Sequence, residues 1–124
     1  MVEEKKYIDF ITVDGSEGGT GAAPVEFTDH IGCPLKDALI FVDNALVGSN
    51  LRDRIKIGAS GKVVSAFDIA HMCALGADWI NMARPFMFAI GCIQCRSCHT
   101  GECSTGIATM FPMRARAIDF DNRA

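Results

Sequence analysis

Four cysteines lie within twelve residues of this chain, in the stretch GCIQCRSCHTGECSTG that runs from Gly91 to Gly106. Their spacing is C-x2-C-x2-C-x4-C. The four residues are Cys92, Cys95, Cys98 and Cys103. Cysteine thiolates bind soft metal ions and iron–sulfur clusters, so this stretch is the first candidate for chemistry in the sequence.

The spacing of the cysteines distinguishes between two kinds of metal centre. Structural zinc sites generally use two close pairs of ligands that are separated by a longer loop. A short run with all four thiols is instead typical of an iron–sulfur cluster, because a cluster is larger than one ion and a compact loop can wrap it. We therefore favour a cluster, with zinc and free or redox-active thiols as the alternatives. His99 is expected to tune or orient the site rather than to bind metal.

The composition limits the partners of the chain. Its 124 residues are 49% hydrophobic and 22% charged, with a net charge of -3. Such a mild charge argues against nucleic-acid binding and against attraction to anionic membranes. No apolar run approaches the ~18 residues of a membrane span, and the N-terminus lacks the apolar core of a signal peptide. We expect a cytoplasmic protein with neither a nucleic-acid nor a membrane partner.

Reduced thiols are the rule in the cytoplasm, so the six cysteines are not expected to form a disulfide framework. Cys33 and Cys73 stand alone in apolar surroundings, and we expect them to be buried as small hydrophobic residues.

The elements before the cysteines alternate between strand and helix. Tyr7–Gly15 is a mostly apolar run that predicts a strand buried on both faces, as in a parallel sheet. A glycine-rich loop follows it. Apolar residues then recur at the spacing of one helix face, and Gly48 ends that helix. The face consists of Leu35, Leu39, Val42 and Leu46.

The same order repeats in the second half of the chain. The stretch RIKIGASG predicts a strand, and the helix after it begins with a capping box formed by Ser65 and Asp68 and ends at Gly76. ADWINMARP predicts a third strand, followed by a helix with Pro85 in its first turn. Trp79 and the Phe and Met residues at positions 86 to 88 are expected in the core.

Alternating strands and helices indicate the α/β class with a parallel sheet. Three strands are too few for a closed β/α barrel or a complete doubly wound sheet. We therefore expect a part or a subunit of something larger, with exposed sheet edges that favour association.

Three stretches together resemble the FMN-binding synthase domain of glutamate synthase. They are VDGSEGGTGAAP, ALGADWINMARPFMFAIGC and CIQCRSCHTGECSTGIAT, and the resemblance runs from about Tyr7 to Thr109. It implies a (β/α)8 TIM barrel that is incomplete in this chain. Residues 1–91 would be its last three βα units, 92–109 an iron–sulfur cysteine loop and 110–124 a C-terminal tail.

The resemblance also implies two cofactors, FMN and a [3Fe–4S] cluster that the family binds through C-x5-C-x4-C. That pattern selects Cys92, Cys98 and Cys103 as ligands. Cys95 is additional, and it is either a bystander or a fourth ligand that would convert the site to [4Fe–4S]. Ser104 replaces the proline that family members tend to have after the third cysteine.

The flavin would lie at the C-terminal ends of the strands, where β/α barrels bind phosphate through the loops after the last two strands. The matching positions are Ser60, Gly61, Ala83 and Arg84. The earlier glycine-rich loop would let the backbone approach the flavin ring or the substrate. Its members are Gly15, Gly18, Gly19, Thr20 and Gly21. This loop does not match the Rossmann pattern, so NAD is not expected there, and catalytic residues are not assigned.

The activity implied by the resemblance is a reductive amination. Electrons pass through the cluster to FMN, and a hydride then reduces 2-iminoglutarate, formed from 2-oxoglutarate and ammonia, to glutamate. The donor would be ferredoxin or an NAD(P)H-linked reductase subunit. The chain would need the missing part of the barrel, or would self-associate. The alternatives are a small iron–sulfur electron-transfer module without flavin and a catalytically inactive fragment.

Overall fold

The fold is a three-stranded parallel sheet with helices in the connections. The structure is a computed structural model that describes residues 6–15, 30–116 and 118–119. The sheet has the order β1-β2-β3, and both pairings are parallel. In chain order its elements are β1 (Phe10–Asp14), α1 (Leu35–Gly48), β2 (Lys56–Ser60), α2 (Ala66–Ala74) and β3 (Trp79–Asn81). The α/β class and the parallel sheet predicted from the sequence are confirmed.

Shorter elements follow the sheet. They are α3 (Arg84–Ala89), a 3-10 turn at Cys98–Thr100 and α4 (Pro112–Ala115). Pro85 lies in the first turn of α3, as predicted. Within the described part of the chain, no helix combines the length and the apolar character that crossing a membrane requires.

The predicted signals at the ends of α2 are confirmed. The Ser65 hydroxyl accepts the Asp68 N–H at 3.1 Å, and the Asp68 carboxylate accepts the Ser65 N–H at 2.9 Å. Two otherwise unpaired N–H groups at the helix start are thereby satisfied. Beyond the other end, Gly76 has φ +111°, a conformation that L side chains rarely adopt.

The hydrophobic core lies between the helices and one face of the sheet. Leu39 of α1 and Ile57 and Ala59 of β2 are completely buried. Leu35 and Leu46 are buried beside them, and Val42 packs against this cluster. The predicted helix face is therefore confirmed. Full burial of one leucine contributes about 1.5–3 kcal/mol, so this face is the main attachment of α1.

The opposite face of the sheet is open among the described residues. Side chains alternate along a strand, so Phe10, Thr12 and Asp14 of β1 point away from the core side of Val13. All three are exposed, whereas Val13 is buried. The expectation that β1 is buried on both faces is therefore wrong, because in the described part of the chain β1 is an edge strand and the helices cover one face of the sheet.

Two other burial predictions are also wrong, one for the aromatic residues and one for the lone cysteines. Trp79 is half-buried, while Phe86 and Phe88 are 70% and 40% exposed, because α3 is a short helix with no buried residue. Cys33 and Cys73 are both exposed. Cys73 follows the buried Met72 on α2 and lies outside the core face of that helix.

Arg52 connects the elements at the N-terminal edge of the sheet. Its guanidinium donates to the Asp43 carboxylate of α1 at 2.6 Å and to the Gly76 carbonyl at 2.7 Å. It also pairs with Asp78 at 3.0 Å. Asp78 in turn accepts the Ile57 N–H of β2 at 2.8 Å. This network fixes both helices to the start of β2, and β/α barrels usually reserve that end of the strands for stability.

The open face provides a direct test of the packing. A Cβ on Gly58 would lie 2.5 Å from the Trp79 ring. The same ring packs edge-on against Phe10, with 5.4 Å between the two ring centroids. We expect Gly58→Ala to displace the ring and to lower the free energy of unfolding by about 1–3 kcal/mol. Chemical denaturation measures the loss, and emission from Trp79, the single tryptophan, reports the displacement.

Gly48→Ala is the matched control, because a Cβ there meets no atom within 4 Å. It should be neutral or stabilise α1 by up to about 1 kcal/mol. If Gly58→Ala has wild-type stability and unchanged emission, the described packing of Trp79 on Gly58 is incorrect.

Candidate cofactor site

The C-terminal ends of the three strands meet at one edge of the sheet. The register pairs Asp14 with Ser60 and Ser60 with Asn81. The Gly15 N–H continues the first pairing by donating to the Ser60 carbonyl at 3.0 Å. Gly61 then turns beside Gly15, where its Cβ would lie 3.4 Å from the Gly15 nitrogen. Three of the predicted flavin positions, Gly15, Ser60 and Gly61, are therefore neighbours.

Two of these glycines also have a structural reason to be glycine. A Cβ on Gly15 would lie 2.7 Å from the backbone nitrogen of Leu35, at the start of α1. Gly61 has φ +137°, where a side chain is strained. Their part in binding flavin remains a prediction. Gly18, Gly19, Thr20 and Gly21 lie outside the described residues.

Ala83 and Arg84 follow β3 at the same edge. Arg84 begins α3 and is half-buried, and Ala83 precedes it as the helix cap. The register places the end of β3 beside Ser60. The positions predicted to meet the flavin phosphate therefore follow adjacent strand ends, although their binding of phosphate stays a prediction.

A polar row crosses the open face at this edge. The Ser60 hydroxyl donates to the Asp14 carboxylate at 2.9 Å, and Asn81 lies in register on the other side of Ser60. Sequence reasoning did not identify Asn81 as a candidate, because its place in the row depends on the pairing of β2 with β3. The alternation of side chains along β3 could have shown only which face of the sheet Asn81 occupies.

The cysteine loop begins directly after α3 and turns repeatedly through left-handed backbone. Gln94 and Arg96 have φ values of 57° and 56°, and Gly101 has 75°. Turns that combine right-handed and left-handed residues can direct successive N–H groups toward an anion. The Gln94 N–H donates to the Cys92 sulfur at 3.4 Å. Across the loop, the Thr109 hydroxyl donates to the Gly101 carbonyl at 2.7 Å.

Two of the four thiols have environments that favour the thiolate. Cys103 is 3% exposed, and its sulfur lies 3.3 Å from the Thr105 hydroxyl. Hydrogen bonds from that hydroxyl and from the Ala108 N–H lower the pKa of Cys103 to about 6. For Cys95, a hydrogen bond from the Ser97 N–H is the main cause of a lowered pKa. The thiolate is the form that binds iron.

The four cysteines lie in one loop, but their side chains do not surround a common point as the ligands of a single metal ion would. Cys92 and Cys98 are half-buried, Cys95 is exposed, and Cys95 interacts electrostatically with Cys103. No three His, Cys, Asp or Glu side chains group around one point within the ranges that the structure describes. A cluster distributes its ligands over several irons, so the donor chemistry of the thiolates fits an iron–sulfur cluster. His99 is exposed beside Cys98 in the 3-10 turn.

The chain belongs to the glutamate synthase family. Its residues 1–124 match a family model described as a conserved region in glutamate synthase. It is 46% identical over 123 residues to the glutamate synthase large subunit-like protein YerD of Bacillus subtilis (strain 168). It is 42% identical over 111 residues to the archaeal glutamate synthase [NADPH] of Methanocaldococcus jannaschii. The ferredoxin-dependent glutamate synthase 2, chloroplastic, of Arabidopsis thaliana is 37% identical over 105 residues.

These alignments cover most of the chain but little of the relatives. The alignments with the Bacillus, Methanocaldococcus and Arabidopsis proteins include 99%, 90% and 85% of this chain. The corresponding shares of the relatives are 23%, 22% and 6%. The chain therefore spans less than a quarter of the length of these curated relatives.

The burial of the thiols predicts an order of alkylation in metal-free protein. The exposed thiols of Cys33, Cys73 and Cys95 should react with iodoacetamide within a short pulse. Cys103 should react more slowly, although its pKa of about 6 favours the thiolate at neutral pH, because the reagent does not reach its buried sulfur. Peptide mass spectrometry measures the order, and full denaturation is the control that should abolish the difference. Labelling of Cys103 as fast as Cys95 in folded protein would contradict the described loop.

Proposed function

We propose that the chain forms the last three βα units of an FMN-dependent glutamate synthase TIM barrel together with its iron–sulfur loop. Residues 1–91 are the barrel part, 92–109 the cysteine loop and 110–124 the tail. A sheet with one face covered by helices and the other open is what a segment of barrel wall requires. The open face, with Phe10 at 58% exposure, supports this assignment most directly.

The remaining barrel strands would complete the sheet. Within the described residues, β1 and β3 each pair only with β2, so each has one free edge. Free edges and exposed apolar side chains favour association with further strands. We propose that the upstream βα units, in the same protein or in a partner subunit, occupy these edges, and that the complex works in the cytoplasm.

The flavin site is proposed at the C-terminal edge. Ser60, Gly61, Ala83 and Arg84 would hold the phosphate through backbone N–H groups and the Arg84 guanidinium. The loop with Gly15, Gly18, Gly19 and Thr20 would lie against the ring or the substrate. When bound, FMN supplies the hydride that converts the imine derived from 2-oxoglutarate into glutamate. The open polar row of Asp14, Ser60 and Asn81 supports the presence of a polar ligand at this edge.

The cysteine loop is proposed to hold a [3Fe–4S] cluster through Cys92, Cys98 and Cys103. The buried and hydrogen-bonded sulfur of Cys103 supports its role as a ligand. The cluster supplies one-electron transfer when bound. The names of the relatives contain NADPH in one case and ferredoxin in another. We propose ferredoxin or an NAD(P)H-linked reductase as the donor.

One observation favours a second candidate, a [4Fe–4S] cluster with Cys95 as the fourth ligand. Hydrogen bonds from the Ser97 N–H and from Ser104 lower the pKa of Cys95 and so favour the thiolate that a fourth ligand would need. The two candidates differ in the consequence of removing Cys95.

Alanine substitutions of the cysteines test the proposal. Cys98→Ala removes a ligand in both candidates, and it should reduce bound iron and labile sulfide to background. Cys95→Ala should retain iron, sulfide and FMN at wild-type stoichiometry if three cysteines bind the cluster. Metal analysis and flavin extraction from anaerobically prepared protein measure all three quantities.

Cys73→Ala is the matched control, because Cys73 is an exposed cysteine on α2 and not part of the loop. Loss of all iron in Cys95→Ala would overturn the three-cysteine assignment. Iron without flavin in wild-type protein that also carries the upstream barrel units would indicate an electron-transfer module instead. Protein without iron and sulfide would indicate that the cysteines bind zinc or no metal.

A further inference from the structure

One hydroxyl group lies directly against a proposed cluster ligand. The Thr105 oxygen is 3.3 Å from the sulfur of Cys103. Thr105 is half-buried, and Cys103 is the most deeply buried of the four cysteines of the loop. Water therefore has little access to this sulfur, and the hydroxyl is a major polar contact of its side chain.

The direction of this hydrogen bond follows from the chemistry of the ligand. A free thiol and a hydroxyl could each donate to the other. A sulfur that binds iron has no proton, so the threonine must donate and the sulfur must accept.

We propose that Thr105 raises the reduction potential of the cluster by donating a hydrogen bond to the Cys103 sulfur, and this rests on the proposed function of the cysteine loop. Reduction adds negative charge to the cluster and its sulfurs. A donor directed at a sulfur stabilises the reduced state more than the oxidised state, so the potential rises. Thr105 acts here through Cys103, as a positioning and tuning residue.

The neighbouring donors make Thr105 the suitable position for a test. The Cys103 sulfur also accepts backbone N–H groups, among them that of Ala108, and side-chain substitution does not remove these. Thr105→Val removes only the hydroxyl, because valine has nearly the same shape and the same branching at Cβ. Thr105→Ser keeps a hydroxyl in place.

The matched control is Thr100→Val in the same loop. The Thr100 hydroxyl donates to the Ser97 carbonyl at 2.8 Å and accepts the Glu102 N–H at 3.1 Å, and both of these partners are backbone groups. Any general effect of losing a loop hydroxyl should appear in this variant as well.

The experiment is a redox titration of the full chain, prepared anaerobically and followed by electron paramagnetic resonance. Thr105→Val should shift the midpoint potential of the cluster to a more negative value, with iron content unchanged. Thr105→Ser should stay close to wild type, and Thr100→Val should not shift. If Thr105→Val assembles no cluster, Thr105→Ala provides the same comparison.

Two results would overturn the inference alone. One is a Thr105→Val cluster with the wild-type midpoint, and the other is an equal shift in Thr100→Val. Wild-type protein without iron would instead overturn the proposed function, and this inference with it.

Discussion

The parallel pairing of β1 and β3 on the two sides of β2 is the constraint on which the rest of the structure depends. The buried Ile57 and Ala59 fix β2 against the helices, and the register then sets the position of both neighbours. Because parallel strands end at the same edge, the polar and glycine positions after them converge there. The Arg52 network closes the opposite edge. The Arg52 network thus stabilises one end of this sheet, and the other end is where we propose that the flavin binds.

The helices and strands of this fold could be predicted from local sequence signals. The burial of individual side chains could not, because it depends on what covers each face of the sheet. The leucine spacing of α1 and the capping box at Ser65 are local, and both are confirmed. Phe10 and Trp79 are large and apolar, which suggests a core position. They are exposed or half-buried because the described residues cover only one face of the sheet. In a complete barrel this face would line the interior, where large apolar side chains are buried. The apolar character of Phe10 and Trp79 is therefore consistent with a part of a barrel.

For the candidate site, too, local features could be predicted from the sequence, whereas contacts between distant segments could not. The spacing of the cysteines is readable from the sequence, as is the glycine content of the strand ends. The row of Asp14, Ser60 and Asn81 was not, since it requires the register of three segments that are far apart in the chain. The Thr105 contact required the fold of the loop, because threonine two residues after a cysteine makes many different contacts. Relatives at 46% and 42% identity place the chain in the glutamate synthase family.

We propose that the cysteine loop holds a three-iron cluster that serves a flavin site on the adjacent strand ends. Electron paramagnetic resonance of anaerobically prepared wild-type protein is the decisive measurement. The proposal requires a signal in the oxidised protein that disappears on reduction with dithionite, because an oxidised three-iron cluster has an odd number of unpaired electrons. A silent oxidised sample that gains a signal on reduction would contradict the claim and indicate four irons, with Cys95 as a ligand.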